Sequence, residues 1–133
     1  MTTSDATRLR TVLNLDAAIC AAFGLICAGL AGPLAEFTLL PRDLLFYAGL
    51  ALFPVAGLMA LVARQAAPSR ALVWLVLLGN EGWILGSIAI LIFGVVQPNA
   101  LGYAFVVAQA VAVLPLVLLE YQGLRRLPVP AAA

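Results

Sequence analysis

Asn80 and Glu81 stand side by side within a long apolar run, Ala71 to Val96, and no other pair in the chain has more scope for chemistry. An ionisable group at mid-bilayer depth is costly, and it marks a functional site by default. Counted inward at about 1.5 Å per residue, Glu81 lies about 15 Å deep, the centre of a hydrocarbon core about 30 Å thick. Gln109, Pro54 and Gly24 fall within about a turn of that level on their own segments. A carboxyl, two amides and a carbonyl freed by proline are therefore expected in one slab. At about 100° per residue, Asn80, Trp83, Ile84 and Ser87 share one helical face, with Gly79, Gly82 and Gly86 on the adjoining one. Glu81 points away from both, together with Trp74, Leu77, Leu85 and Ile88. Three roles are open to it: a neutral carboxyl that ties helices together, a group that handles a proton or cation, or a contact between subunits. Asn80, Glu81, Ser87 and Gln109 form the candidate intramembrane polar site.

Other chemistry is thinly represented. The chain has no His, no Ser-His-Asp set, no phosphate-binding loop and no metal-spaced cluster, so no metal or cofactor is expected. Asp16 and Glu120 are the only carboxyls near the helix ends on the arginine-rich side. Without a partner base they make a poor catalytic pair. Asp16, like Asn14, suits a helix start, where its oxygens accept from free N–H groups and meet the positive end of the dipole. Cys20 and Cys27 are seven residues apart, about 10 Å along one helix, too far for a disulfide; both read as small apolar residues. No catalytic residue is assigned, and the chain is expected not to be an enzyme.

The elements that must carry these residues are membrane helices. The chain is 65% apolar and 10% charged, whereas a soluble domain averages about 25% charged residues. A net charge of +1 gives no case for nucleic acid. One domain, residues 1–133, is expected, with spans of about 13–32, 44–63, 71–96 and 100–121 and a disordered tail at 122–133. Residues 1–12 form a polar lead. A basic lead before an apolar run also fits a signal peptide, with Gly29-Leu30-Ala31 as a loose cleavage site, but the run's length and Asp16 favour a retained span. Pro33 to Asp43 is a connector lying on the membrane, and Pro54 and Pro115 should bend their helices. Small residues recur every four positions at Gly24, Ala28 and Gly32, at Gly82 and Gly86, and at Ala104, Ala108 and Ala112. Each ridge is expected to let a neighbouring helix approach closely.

Arginine placement predicts orientation. Arg8, Arg10, Arg64, Arg70, Arg125 and Arg126 fall on one side and Arg42 alone on the other. By the positive-inside rule, both termini are cytosolic and the four helices form an antiparallel all-α bundle. The arginine-only, Ala/Leu-rich composition suggests a bacterial inner membrane.

Gly79-Asn80-x-x-Trp83-x-x-x-Ser87 in the third span resembles a set of small bacterial four-helix inner-membrane proteins of no assigned mechanism. So do Gly102, Gln109-Ala110-x-Ala112-Val113 and Glu120-Tyr121-x-Gly123-Leu124-Arg125-Arg126 in the fourth. The size is also similar to that of small multidrug transporters. Those carry their essential Glu in the first helix, where this chain offers only Asp16, so that match is set aside. The expected function is a non-enzymatic scaffold, accessory subunit or self-associating bundle. The alternative is a proton-coupled small carrier or channel that uses Glu81. The expected partners are the lipid bilayer and either further copies of the chain or a larger membrane complex.

Overall fold

In a computed structural model that describes residues 2–129 and 131, the chain is all-helical, with five helices. They are α1 (Thr3–Gly29), α2 (Ala31–Thr38), α3 (Arg42–Arg64), α4 (Arg70–Ile92) and α5 (Ala100–Arg126). All but α2 are long and apolar enough to cross a membrane, which makes this a multi-pass membrane protein. The tail expected to be disordered falls partly on Pro130, Ala132 and Ala133, which lie outside the described residues.

The helix ends follow from local chemistry, and several differ from expectation. The polar lead is already helical, because Thr2 and Asp5 build a capping box. The Thr2 hydroxyl accepts from the Asp5 N–H at 3.1 Å, and the Asp5 carboxylate accepts from the Thr2 N–H at 3.3 Å. Neither Asn14 nor Asp16 caps a helix; both lie well inside α1. The connector forms the short α2 and stops where Leu39 adopts a left-handed φ of 57°. Gly94, at φ 64°, turns the chain back so that the Val95 N–H reaches the Ile90 carbonyl. This closes α4 at Ile92, four residues short of the expected Val96. Asn99 caps α5 by accepting from the Gly102 N–H at 2.9 Å, and α5 continues through the expected tail to Arg126.

Two apolar clusters hold the helices. One lies at the arginine-rich end, where Leu9, Leu13, Met59, Val62, Leu77 and Leu124 are fully buried. The other joins Ala31, Leu40, Leu45, Val96 and Val106 at the far end. Backbone carbonyls are stitched at both ends. The Arg10 Nε donates to the Ala63 carbonyl at 2.7 Å, and Arg70 donates to the Leu124 and Leu127 carbonyls. At the far end Asn99 donates through its amide to the Phe37 carbonyl and through its backbone N–H to the Thr38 carbonyl.

The small-residue ridges divide. Gly24 and Ala28 pack as expected, against Gly49 of α3. A Cβ on Gly24 would sit 2.8 Å from the Gly49 carbonyl oxygen, and one on Gly49 would sit 2.6 Å from the Ala28 nitrogen. The other two ridges do not pack within the chain. Gly82 and Gly86 are exposed with open space where a Cβ would stand, and Ala104 and Ala108 are exposed on the outer face of α5. The buried line of α5 runs instead through Gly102, Val106, Ala110, Leu116, Glu120 and Leu124. It was hidden because α5 is apolar on every side, so periodicity alone does not say which face packs.

Candidate functional site

Among the described residues, two groups of polar side chains tie α4 to its neighbours, and Glu81 belongs to neither. Its side chain is exposed on the lipid-facing surface of α4, so the expected four-residue site is not assembled as one unit. The 100° rotation between consecutive residues separates Glu81 from Asn80, which is buried.

Gln109, Ser87 and Trp83 form the first group. The Trp83 indole N–H donates to Gln109 Oε1 at 2.6 Å. The Gln109 amide donates to Ser87 Oγ at 3.0 Å and to the Val106 carbonyl at 2.8 Å. The Ser87 hydroxyl donates to the Trp83 carbonyl at 2.7 Å. Every polar end of this string is occupied, so it joins α4 to α5 and offers little free hydrogen-bonding capacity.

The second group is an acid pair gathered from opposite ends of the sequence. Asp16 of α1 is 1% exposed and Glu120 of α5 is 0% exposed. One nitrogen, Asn80 Nδ2, donates to both, to Asp16 Oδ2 at 2.8 Å and to Glu120 Oε2 at 3.1 Å. The Cys20 thiol lies 3.6 Å from Asp16 Oδ1 and donates to it. Sharing that one donor sets the two carboxyls beside one another. Glu120 Oε1 is buried and has no partner among the described residues. The one salt bridge among those residues joins Arg126 to Asp5, so no arginine neutralises the pair.

This geometry constrains protonation. Two ionised carboxyls sharing a dry site repel each other and are both poorly solvated. A single proton on either acid would remove that repulsion. Asn80 is the donor that both acids share.

Two cavities approach the pair. One of about 180 Å³ is lined by Asp16, Cys20 and Asn80 together with Phe23, Trp83 and Gln109. A second, of about 270 Å³, shares those last three residues and continues towards Leu40 and Ile90. Phe23, Trp83 and Gln109 are thus the waist between them. The outer cavity has exposed residues at its edge, Leu44 on α3 and Gly82 and Gly86 on α4, so it opens sideways between those two helices. Beyond the acid pair, the buried leucines of the arginine-rich end close the other direction.

Asn80 and Ser87 therefore do face the interior, as their shared helical face suggested, and Gln109, expected there only from its depth, faces it from α5. Asp16 and Glu120, read from sequence as a cap and an isolated interfacial acid, are the central groups. A signal was present. Asp16 continues the buried stripe Leu9, Leu13, Ala17, and Glu120 lies midway between buried Leu116 and Leu124 at four-residue spacing. Compared with families of known proteins, with curated proteins and with solved structures, the chain matches none.

Proposed function

We propose that this chain is a small non-enzymatic carrier of the bacterial inner membrane that moves a solute against a proton held by Asp16 and Glu120. One observation carries the reading: two buried carboxyls bridged by Asn80, Glu120 with an unpartnered oxygen and Asp16 lining a cavity of about 180 Å³. A pair that needs only packing has no use for a second acid, since an apolar residue in its place would be at least as stable. The arginine asymmetry supports an antiparallel bundle with both termini cytosolic. In that orientation the cavity faces the outer leaflet and the leucine cluster seals the cytosolic side. Its kin would be the small uncharacterised four-helix inner-membrane proteins whose motifs it resembles.

Purified protein in liposomes carrying a pH-sensitive dye tests this reading. Glu120→Gln, whose amide can donate where the shared proton did, is expected to leave the fold intact and to abolish proton-linked flux. Glu81→Gln is expected to leave flux within about twofold of wild type. Equal flux from wild type and Glu120→Gln would remove the proposal.

A second reading, a scaffold, accessory subunit or self-associating bundle, is favoured by one specific feature. Glu81 is exposed mid-span beside Gly82 and Gly86, where lipid is a poor neighbour for a carboxyl. Mass measurement after extraction in mild detergent tests it. A strict monomer with no companion protein would set it aside.

A further inference from the structure

We infer that the lateral cleft between α3 and α4 admits a lipophilic amine from the bilayer and lodges its ammonium group against Asp16. The inference rests on the proton-exchange reading of the same site and names the chemical class of solute.

The shape of the space selects the body of the ligand. The outer cavity is walled by Phe23, Leu45, Ile90, Phe105 and Val106, and its rim lies on the lipid-facing surface. Phe23 and Phe105 stack with centroids 5.5 Å apart, making a continuous aromatic floor. The glycines at positions 82 and 86 leave open space where any larger residue would narrow the opening. A solute dissolved among acyl chains can therefore enter without crossing water. A polar solute such as a sugar would find few partners, because the hydrogen bonds of Trp83, Gln109 and Ser87 are largely made to each other.

The inner cavity selects the head. Its titratable wall groups are Asp16 and Cys20, with Glu120 behind Asp16 across Asn80. No arginine pairs with either acid, so the local charge is negative or neutral and never positive. Such a wall rejects an anionic head and favours a donor-rich cation. Trp83 at the waist adds a ring face for the cation to pass. When the ammonium reaches Asp16, the proton shared with Glu120 leaves through the cavities to water at the mouth of the cleft, so the pocket keeps the single negative charge that it had before. Charge balances at one cation in for one proton out.

The experiment uses the Trp74→Phe protein in nanodiscs, which leaves Trp83 as the sole indole, and 8-bromooctylamine, whose bromine quenches indole on contact. Saturable quenching that unbrominated octylamine reverses is expected, with 8-bromooctanol at least tenfold weaker. Gly86→Leu should weaken the amine at least tenfold by narrowing the opening. Asp16→Asn should erase the preference for amine over alcohol while the alcohol still binds, which also reports that the cleft has folded. Equal affinity for amine and alcohol in the parent protein, or a preference that survives Asp16→Asn, overturns the inference. Proton release on amine addition, followed by dye in the same samples, separates the two proposals. Selective binding without proton release fails the exchange reading alone. Proton-linked flux that is lost in Glu120→Gln but unmoved by any amine fails the amine inference alone.

Discussion

Asn80 matters because of what it donates. One amide nitrogen satisfies an oxygen on each of two acids, so its loss strips hydrogen bonds from three helices at once. Asn80→Leu is expected to destabilise the bundle by about 1–3 kcal/mol, since each buried group left unpaired costs on that order. Unfolding of the purified protein in a denaturing detergent measures it. Combined with Glu120→Leu, which removes one of the stranded acids, the cost should be smaller than the sum of the two single changes, because both act on one network. Cys20→Ala should be far milder, since a thiol is a weak donor and 3.6 Å is long.

Among the helices, α1 and α3 form the tightly fitted pair. Gly24 and Gly49 meet backbone to backbone, and neither position has room for a side chain. Gly49→Val must push the helices apart, and it is expected to cost about 1–3 kcal/mol as an overpacked contact. Gly79→Ala provides the comparison on α4. A Cβ there meets open space, and the change should be neutral or stabilising by up to about 1 kcal/mol, the gain in helix propensity. Thermal or detergent unfolding of the two variants side by side gives opposite signs. Sequence alone ranked Gly24 together with Gly82 and Gly86. Four-residue spacing records the capacity for close approach, while the partner surface decides whether it is used. Gly24 meets another glycine at the crossing, and Gly82 and Gly86 border a cleft.

At the scale of the whole chain, the termini are tied together. Asp5 stands in the polar lead, two turns before the apolar run begins at Leu13, and Arg126 ends α5. Hydrogen bonds from the Thr2 hydroxyl and from Arg126 hold the Asp5 carboxyl down at about 2, from an ordinary value of 3.8. A lowered folded value means that the contribution is present above pH 4 and is lost as pH falls towards 2. Melting wild type and Asp5→Asn from pH 5 to pH 2.5 should show a gap that is present at pH 5 and shrinks steadily on acidification. A gap that grew would contradict the assignment. Much of this architecture was legible in the residues: four apolar runs, a short interfacial connector and an inward-facing Asn80. The acid pair was not, because Asp16 and Glu120 are 104 positions apart and only tertiary packing brings them together. Glu81 drew attention for its depth, but depth does not fix azimuth around the bundle.

The same separation orders the events of biosynthesis. Asp16 belongs to α1, which leaves the ribosome before α5 and its Glu120. Until α5 is made, the carboxyl of Asp16 has neither the neighbouring acid nor the enclosure that α5 supplies. The first helix is thus held in the bilayer on credit from the fifth. A chain ending after the α4–α5 turn, at Asn99, is expected to turn over faster in cells than the full chain. Asp16→Leu in that truncated chain should slow its loss, whereas in the full chain the same change removes a group that is already matched. Pulse-labelled half-lives of the four chains would show whether α5 completes the membrane anchoring of α1.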